Sequence, residues 1–288
     1  GESAAFNGEL TVTIGGAGGF ENIYGTSGTE TIKGDANANL LRGGRGGSDT
    51  IYGYAGNDIL YGHGQDSDSA SDSSYTSAKT LYGGEGDDTL YGGAGEDILD
   101  GGTGKDTLTG GGGIDTFVIR SGDGSSDLAS TNVVEDFEDT IDYFSLDSIS
   151  YADLVIAQGT GDNQNNTYIK DSNNNYLLAL KDIASSTISP EDFSSSSTEN
   201  QTYDGNSSNN VLIGGSGNDT FNGGSGSDNI YGNAGNDTIN INNKSGSFVD
   251  TINGGSGTDS LIITYSGISN LGDFVISTED GYTVLTDS

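Results

Sequence analysis

The chain contains no cysteine, no methionine and no tryptophan, and it has one proline among its 288 residues. Without cysteine, neither disulfide bonds nor thiolate metal sites can hold the fold. Basic residues are also scarce, because 9 Lys and Arg stand against 43 Asp and Glu, which gives a formal net charge of −34 at pH 7. We therefore expect no nucleic-acid partner, since phosphate binding needs clustered basic side chains.

Long apolar runs are missing too. No stretch approaches the 18 consecutive apolar residues of a transmembrane helix, so we expect no transmembrane segment. The first residues, GESAAFNGELTVTI, lack the basic and then apolar pattern of a signal peptide. Because methionine is absent even at residue 1, we interpret the chain as a piece of a larger protein. Its acidic, cysteine-free and lysine-poor composition is typical of secreted bacterial proteins.

Catalytic motifs are equally scarce. The chain has no H-E-x-x-H, no G-x-S-x-G, no cysteine nucleophile and a single histidine, too few for a catalytic zinc site. We expect that this segment is not an enzyme. The histidine, His63, opens a polar insertion, where we expect an exposed loop residue and no metal ligand.

Glycine, by contrast, occurs 50 times, mostly within the nine-residue phrase G-G-x-G-x-D-x-U-x, where U is a large apolar residue. Four clean copies run from Gly83 to Val118. Upstream copies are less regular, and an insertion at about 65–78 interrupts one of them before the register resumes at Lys79. A second block begins with a degenerate copy at 205–213 and continues to 262.

The stretches outside the repeats have a different pattern. Residues 119–193 contain apolar runs that alternate with a period of two, which predicts strands of a half-buried sheet. The resulting division is a first roll at 1–118 with degenerate N-terminal cap coils, a β module at 119–193, a linker at 194–204, a second roll at 205–262, and the start of a second, truncated module at 263–288.

Each nonapeptide predicts a turn followed by a short strand. The x-U-x end is β-prone, and the GGxGxD start needs glycine because it adopts positive φ without penalty and lets backbones approach closely. Strand and turn, repeated, wind into a right-handed solenoid with two nonapeptides per coil. The predicted fold class is all-β: a parallel β-roll in two blocks, separated by an antiparallel β module.

Aspartates eighteen residues apart then stack on the same edge of the roll, about 4.8 Å apart. Asp88 stacks with Asp106, and Asp97 with Asp115. Such close carboxylates repel one another unless one takes up a proton or a cation binds between them. Ca²⁺ fits best, because it prefers six to eight oxygen ligands, whereas Mg²⁺ demands tight octahedral geometry and keeps its waters.

The nonapeptide resembles the calcium-binding repeat of the RTX (repeats-in-toxin) family. Residues 119–193, with VVEDF, DTIDYFSL and YLLALKDI, are similar to the sheet region after the β-roll of serralysin-type secreted proteases. The resemblance implies several Ca²⁺ ions between the pairs Asp88/Asp106, Asp97/Asp115 and Asp219/Asp237. Weaker inferences pair Asp58 with Asp88, Asp228 with Asp250, and Asp237 with Asp259.

The resemblance also implies ligands from backbone carbonyls of the turns. The carbonyls implied are those of Gly83, Glu85, Gly92, Ala94, Gly102, Gly104, Gly111, Gly113, Gly214, Ser216 and Gly235. Asp49 is a further candidate, with a stacking partner inside the insertion, Asp66 or Asp68. Glu21, Glu30, Asn39 and Asn210 stand where aspartate is expected, so these early coils act as caps.

For function, the resemblance implies type I export of an unfolded chain that folds on Ca²⁺ outside the cell. One hypothesis makes the parent a structural surface protein or adhesin, with a cell-surface, glycan or protein partner that the sequence does not identify. The alternative makes this chain the C-terminal secretion and stabilisation region of an exoenzyme such as a protease, lipase or epimerase. A tyrosine stripe at the ninth position favours cross-strand packing over a sugar-binding face.

Overall fold

The computed structural model describes residues 10–13, 21–63, 76–242, 248–264, 274–279 and 282–287. It contains β-strands and four short 3-10 helices, and it has no α-helix within these residues. In that part of the chain, no helix is long and apolar enough to cross a membrane. The chain divides into two compact units, residues 1–148 with 154–188 and residues 149–153 with 189–288.

The first unit contains sixteen of the strands. They are β1 (Leu10–Thr13), β2 (Glu21–Tyr24), β3 (Glu30–Lys33), β4 (Asn39–Arg42), β5 (Thr50–Ala55), β6 (Ile59–Tyr61), β7 (Thr80–Glu85), β8 (Thr89–Gly93), β9 (Ile98–Thr103), β10 (Thr107–Gly111), β11 (Thr116–Arg120), β12 (Asn132–Val134), β13 (Tyr143–Asp147), β14 (Leu154–Gln158), β15 (Thr167–Asp171) and β16 (Tyr176–Leu180). Two 3-10 helices, Leu128–Ser130 and Gly161–Asn163, lie between them.

Successive strands of this unit alternate between two sheets. The odd strands run in the order β1-β3-β5-β7-β9-β11-β13, and the even strands in the order β2-β4-β6-β8-β10-β12, all parallel. Neighbours in one sheet are therefore two repeats apart. This alternation confirms the predicted parallel β-roll with two nonapeptides per coil.

The repeat's apolar residue forms the core between the two sheets. In the odd sheet Leu81 pairs with Leu99, which pairs with Phe117, and all three side chains are buried. In the even sheet Leu90 and Leu108 are aligned and buried in the same way. Stacking identical side chains along the coils removes apolar area from water at each step, which stabilises a solenoid whose single repeats could not bury a core alone.

Only part of the segment 119–193 is antiparallel. Strands β14, β15 and β16 form an antiparallel meander, whereas β12 and β13 continue the roll in parallel with β10 and β11. The meander joins the even sheet through β16, which pairs in parallel with β12. The roll thus extends beyond the last nonapeptide, because Val134 of NVV and both Phe144 and Leu146 of YFSLD face the core.

The second unit repeats the roll on a smaller scale. Its strands are β17 (Phe193–Ser195), β18 (Thr202–Asp204), β19 (Val211–Ile213), β20 (Thr220–Asn222), β21 (Asn229–Tyr231), β22 (Thr238–Asn242), β23 (Val249–Asn253), β24 (Ser260–Thr264), β25 (Phe274–Glu279) and β26 (Tyr282–Asp287), and its 3-10 helices are Tyr151–Asp153 and Pro190–Asp192. One sheet has the order β18-β20-β22-β24, and the other has β19-β21-β23 followed by β26 and β25. Phe221, Ile230 and Ile239 lie at its buried core.

Pairing within this unit is parallel until the final hairpin. Strand β18 pairs in parallel with β20, so the roll begins at Thr202, before the first glycine of the second repeat block. Strands β25 and β26 form an antiparallel hairpin, and β26 pairs antiparallel with β23. The start of a second β module predicted at 263–288 therefore contains this hairpin.

Candidate metal centres

The sixth residue of each repeat follows a turn and lies directly before a strand or within its first two residues, so these residues form a column along each edge of a roll. We call the column before the odd strands of the first unit the odd edge; it contains Glu30, Asp49, Lys79, Asp97, Asp115 and Asp142. The even edge contains Asn39, Asp58, Asp88, Asp106 and Asn132. In the second unit, the edge before β20, β22 and β24 contains Asp219, Asp237 and Asp259, and the edge before β19, β21 and β23 contains Asn210, Asp228 and Asp250.

A hydrogen-bond ladder connects the carboxylates of each edge. The backbone N–H of Asp88 donates to Oδ1 of Asp106 at 2.9 Å, and that of Asp97 donates to Oδ1 of Asp115 at 3.0 Å. The structure brings all six sequence-paired sets together in this way. The other four bonds join Asp58 to Asp88 (2.8 Å), Asp219 to Asp237 (2.7 Å), Asp228 to Asp250 (2.9 Å) and Asp237 to Asp259 (3.0 Å).

The second carboxylate oxygen of most ladder residues has no such donor. Asp58, Asp88, Asp97, Asp106 and Asp237 each have a buried Oδ2 with no hydrogen-bond partner among the described residues. These side chains are at most 1% exposed. Burying an ionised carboxylate oxygen without a hydrogen-bond donor or cation costs on the order of several kcal/mol, because its hydration is lost. A cation bound beside these Oδ2 atoms would therefore stabilise the ladder.

The glycines beside these oxygens leave no space for a side chain. A Cβ added at Gly92 would lie 2.6 Å from Oδ2 of Asp97 and 2.6 Å from the carbonyl oxygen of Gly110, the first glycine of the next coil. A Cβ at Gly83 would collide in the same way with Asp88 Oδ2 and the Gly101 carbonyl. Carboxylate and carbonyl oxygens from two coils thus approach each other at both edges of the first roll.

Burial shifts the protonation equilibria of the ladder. Desolvation raises the pKa of Asp58, Asp97 and Asp106 to about 7, and that of Asp115 to about 8. The pKa of Asp88 rises to about 6 for the same reason. Backbone N–H donors oppose the rise, and nearby carboxylates such as Asp97 beside Asp115 add to it. In the absence of a metal ion, protons compete for these sites near neutral pH.

The carbonyl candidates lie in the same turns. Gly102, Gly104, Gly111, Gly113 and Gly235 all have positive φ, between 87° and 132°, a region that only glycine adopts without strain. Gly83 lies beside Asp88 Oδ2, and Ala94 and Ser216 are third residues of their turns. Three candidate carbonyls already accept hydrogen bonds: Glu85 from Gly56 N–H, Gly92 opposite the ring Nδ1 of His63, and Gly214 from Ser195 N–H. The Gly214 carbonyl also accepts from Asn233 Nδ2 at 2.9 Å, so both of its lone pairs are engaged, whereas the carbonyls of Glu85 and Gly92 keep a second lone pair.

The odd edge departs from the expected series at two residues. Asp49 lies next to Lys79, with Lys79 Nζ 3.1 Å from Asp49 Oδ2, so its neighbour on the edge is not an aspartate of the insertion. Asp66 and Asp68 lie outside the described residues. His63 is also not the exposed loop residue expected from its position, because it is only 7% exposed and its ring packs against Gly92 and Gly93.

The degenerate coils satisfy their turns with their own side chains. Oδ1 of Asn39 accepts a hydrogen bond from Asp35 N–H at 2.8 Å, and Oδ1 of Asn210 accepts one from Asn206 N–H at 2.9 Å. Glu30 accepts from the N–H of Thr26 at 3.2 Å. Neutral or folded-back side chains at these positions carry less unmet negative charge, in keeping with a capping role.

Three edge residues beyond the nonapeptides continue the ladder and were not found from the repeat pattern. Asp115 N–H donates to Oδ1 of Asp142 at 2.9 Å, and Asp106 N–H donates to Oδ1 of Asn132 at 2.8 Å. Asp136 accepts from the N–H groups of both Gly110 and Gly111. Asn132 and Asp142 each directly precede an apolar pair, Val133-Val134 and Tyr143-Phe144, which was the available signal.

The donor set of the edges fits a hard cation. In the described part of the chain, no three His, Cys, Asp and Glu side chains gather as a metal site, so each centre must combine stacked aspartates with backbone carbonyls. An all-oxygen set of this kind suits Ca²⁺, with its six to eight ligands at about 2.3–2.6 Å, and offers nothing to thiophilic metals. When bound, Ca²⁺ supplies the positive charge that the stacked carboxylates lack.

Comparison with known proteins gives the same assignment. The family model for the RTX calcium-binding nonapeptide repeat (4 copies) matches residues 24–46, 44–67, 82–117, 204–239 and 245–262. No curated protein matches the chain.

The solved structures that are similar to it include two subunits of the mannuronan C5-epimerase of Azotobacter vinelandii. The solution structure of the AlgE6R3 subunit is 22% identical, with a TM-score of 0.25, over 59% of this chain and 80% of that one. The solution structure of the AlgE6R2 subunit is 20% identical, with a TM-score of 0.25, over 60% of this chain and 90% of that one. With the family model matching within both repeat blocks, these blocks belong to the RTX family of calcium-binding nonapeptide repeats.

Proposed function

We propose that this chain is a calcium-triggered structural scaffold of a secreted bacterial protein, which leaves the cell unfolded and folds into rolls outside it. The observation that carries this proposal is the column of buried aspartates whose Oδ2 atoms have no donor among the described residues. At neutral pH such a column opposes folding until cations bind, since an unpaired buried charge costs several kcal/mol.

The calcium dependence follows from the concentration difference across the membrane. Extracellular calcium modules bind at about 10⁻⁴–10⁻³ M, far above the calcium concentration inside a cell. Folding and binding are coupled, because the site exists only when two coils are stacked. Each coil contacts only its neighbours, so binding at one edge favours binding at the next.

The outward-facing tyrosines favour a structural role over a sugar-binding one. The rings of Tyr52 and Tyr82 stack on each other at 4.9 Å, and those of Tyr61 and Tyr91 at 4.8 Å. Arg42 lies over the rings of Tyr24 and Tyr61, at 5.0 and 4.8 Å. Rings that stack along a sheet present edges to solvent and stabilise the strand pairs beneath them.

We further propose a non-catalytic role for these residues as a spacer at the cell surface. Burial raises the pKa of edge carboxylates such as Asp97 and Asp106, and metal binding gives these groups a non-catalytic role. Burial also raises the pKa of Asp123 to about 6, and this carboxylate lies 3.7 Å from the Arg120 guanidinium. An adhesive function would need a recognition surface elsewhere in the parent protein.

The proposal is tested by following the dimensions of the full chain in solution. Small-angle X-ray scattering in calcium-free buffer should give the large radius of gyration of an expanded chain. In 5 mM CaCl₂ the radius of gyration should fall to that of a compact protein, which is a few ångströms times the 0.38 power of the residue number. Equal ionic strength from KCl and equal MgCl₂ are the controls, and we expect neither to compact the chain. Compact scattering in calcium-free buffer would contradict the proposal.

A further inference from the structure

Lys79 stands at the sixth place of its repeat, where the other coils of the odd edge have an acidic residue. The four residues Lys79-Thr80-Leu81-Tyr82 resume the register after the insertion and match Asp88-Thr89-Leu90-Tyr91 place by place. The side chains of Lys79 and Asp49 are both completely buried. A lysine in this environment is unusual, because a buried ammonium ion requires close partners of opposite charge.

Among the described residues, the polar partners of the ammonium group are all oxygen atoms. Nζ lies 3.1 Å from Oδ2 of Asp49, donates to the carbonyl of Gly46 at 3.1 Å, and donates to the carbonyl of Gly47. One carboxylate and two turn carbonyls form the same kind of donor set that the repeats offer to calcium. All three acceptors belong to the coil before Lys79.

We propose that the Lys79 ammonium is a tethered cation that takes the place of calcium between the coils of Asp49 and Lys79. The backbone ladder is continuous here, because Thr80 N–H donates to the Asp49 carbonyl at 2.9 Å and Lys79 N–H donates to Oδ1 of Asp97 on the next coil at 2.7 Å. Asp49 is then a partner of lysine at this junction and not a calcium ligand.

The tethered charge makes this junction independent of calcium concentration. A lysine side chain is present at a fixed local concentration, whereas an ion of an extracellular site is lost when calcium falls below about 10⁻⁴ M. The junction also lies where the insertion leaves the roll, so the coil that closes a long loop needs no ion of its own. The inference rests on calcium binding by the repeats and is independent of secretion or a surface role.

The deciding variant is Lys79→Asp in the full chain, which restores aspartate at the sixth place. Native mass spectrometry at saturating calcium should detect one additional Ca²⁺ per chain compared with the wild type. The matched control is Lys105→Asp, the same change of charge at an exposed position, and it should add no ion. An unchanged number of ions in a Lys79→Asp protein that retains its β-sheet circular dichroism would overturn the proposal.

A second variant decides the question if Lys79→Asp does not fold. Lys79→Met keeps the apolar stem but removes the charge, which leaves Asp49 buried without its cation. At saturating calcium we expect hydrogen exchange of the Thr80 amide to accelerate at least tenfold, while the Thr107 amide, which bonds to the Asp88 carbonyl, keeps its protection. Unchanged protection of Thr80 would show that the junction does not depend on the ammonium group.

Discussion

One hydrogen bond joins Asp88 to Asp106, and a second carboxylate oxygen on each residue has no hydrogen-bond donor among the described residues. The backbone N–H of Asp88 donates to Oδ1 of Asp106 at 2.9 Å, yet Oδ2 of both residues is buried without a hydrogen-bond partner among the described residues. One oxygen of each side chain thus builds the ladder and the other faces the glycine turn. An asparagine can replace the hydrogen-bond acceptor Oδ1, but it cannot replace the negative charge at Oδ2.

Asp106→Asn tests that division. The amide oxygen still accepts the bond from Asp88 N–H, so the coil remains stacked, while the negative charge at the edge is removed. We expect the calcium midpoint of folding to rise about tenfold, because ligand charge sets calcium affinity. A calcium titration followed by circular dichroism measures the midpoint.

The matched control is Asp87→Asn, the neighbouring residue. Asp87 is exposed, and its Oδ1 accepts from Lys105 N–H at 3.0 Å, a bond that asparagine also provides. We expect its midpoint to stay within about twofold of the wild type, as is usual for exposed substitutions. Equal midpoints for the Asp106 and Asp87 variants would refute the assignment of Asp106 as a ligand.

Gly92→Ala should damage the site by occupying it. The new Cβ would lie 2.6 Å from both Asp97 Oδ2 and the Gly110 carbonyl, closer than real Cβ atoms approach. We expect a loss of about 1–3 kcal/mol in the free energy of unfolding in calcium, typical of overpacking. Urea denaturation at fixed calcium provides the measurement.

Gly112→Ala is the control for that substitution. A Cβ at Gly112 has open space, and no positive φ is recorded there, so alanine meets neither a clash nor backbone strain. We expect its unfolding free energy to match or slightly exceed that of the wild type. An equal loss of unfolding free energy in the Gly92→Ala and Gly112→Ala variants would contradict the clash at Gly92 and would point to backbone flexibility as the only role of glycine at both positions.

The pH dependence of the calcium-free roll should be the reverse of that of most acidic proteins. Burial raises the folded-state pKa of Asp97 and Asp106 to about 7 and that of Asp115 to about 8, from an ordinary value of 3.8. The folded state therefore binds more protons than the unfolded state between about pH 4 and pH 8. Its stability without calcium falls as pH rises through this window.

Circular dichroism in calcium-depleted buffer checks this sign. We expect more β structure at pH 5.5 than at pH 8.0, because protonated carboxyl groups in the folded state need no cation. Calcium-free β structure that increases from pH 5.5 to pH 8.0 would contradict the buried-carboxylate interpretation.

The repeat pattern was sufficient to predict the roll and its Asp pairs. A spacing of eighteen residues places Asp88 beside Asp106 whatever the intervening residues, because each coil contains two turns of fixed length. The core at Leu81, Leu99 and Phe117 follows from the same count. Regular repeats leave little for tertiary context to decide.

The exceptions lie where the count is broken. The insertion before Lys79 breaks the nine-residue count. The sequence therefore shows that the register resumes at Lys79, but it does not show that Lys79 is the partner of Asp49. After Val118 the repeat ends, and the ladder residues Asn132 and Asp142 sit at irregular spacings of 26 and 27 residues from Asp106 and Asp115. Their roles depend on strand pairing that no nine-residue period encodes.

A further ladder also escaped the sequence pattern. In several turns, the side-chain oxygen of the fifth residue accepts a hydrogen bond from the backbone N–H of the fifth residue in the next coil. Asn236 N–H donates to Oδ1 of Asn218 at 2.7 Å, and Thr258 N–H donates to Oδ1 of Asn236 at 2.8 Å. Asn and Asp at this place look like ordinary turn residues, since both favour turns for local reasons. Only the stacking of coils reveals their second use.

The most direct test of the account is a crystal structure of the full chain grown with saturating calcium, with anomalous diffraction recorded to locate the ions. We predict anomalous peaks between the coils at Asp88/Asp106, Asp97/Asp115 and Asp219/Asp237, with carboxylate and turn-carbonyl oxygens at about 2.3–2.6 Å from each ion. Ladders that remain closed with no ion beside these Oδ2 atoms would contradict the claim that calcium completes the roll.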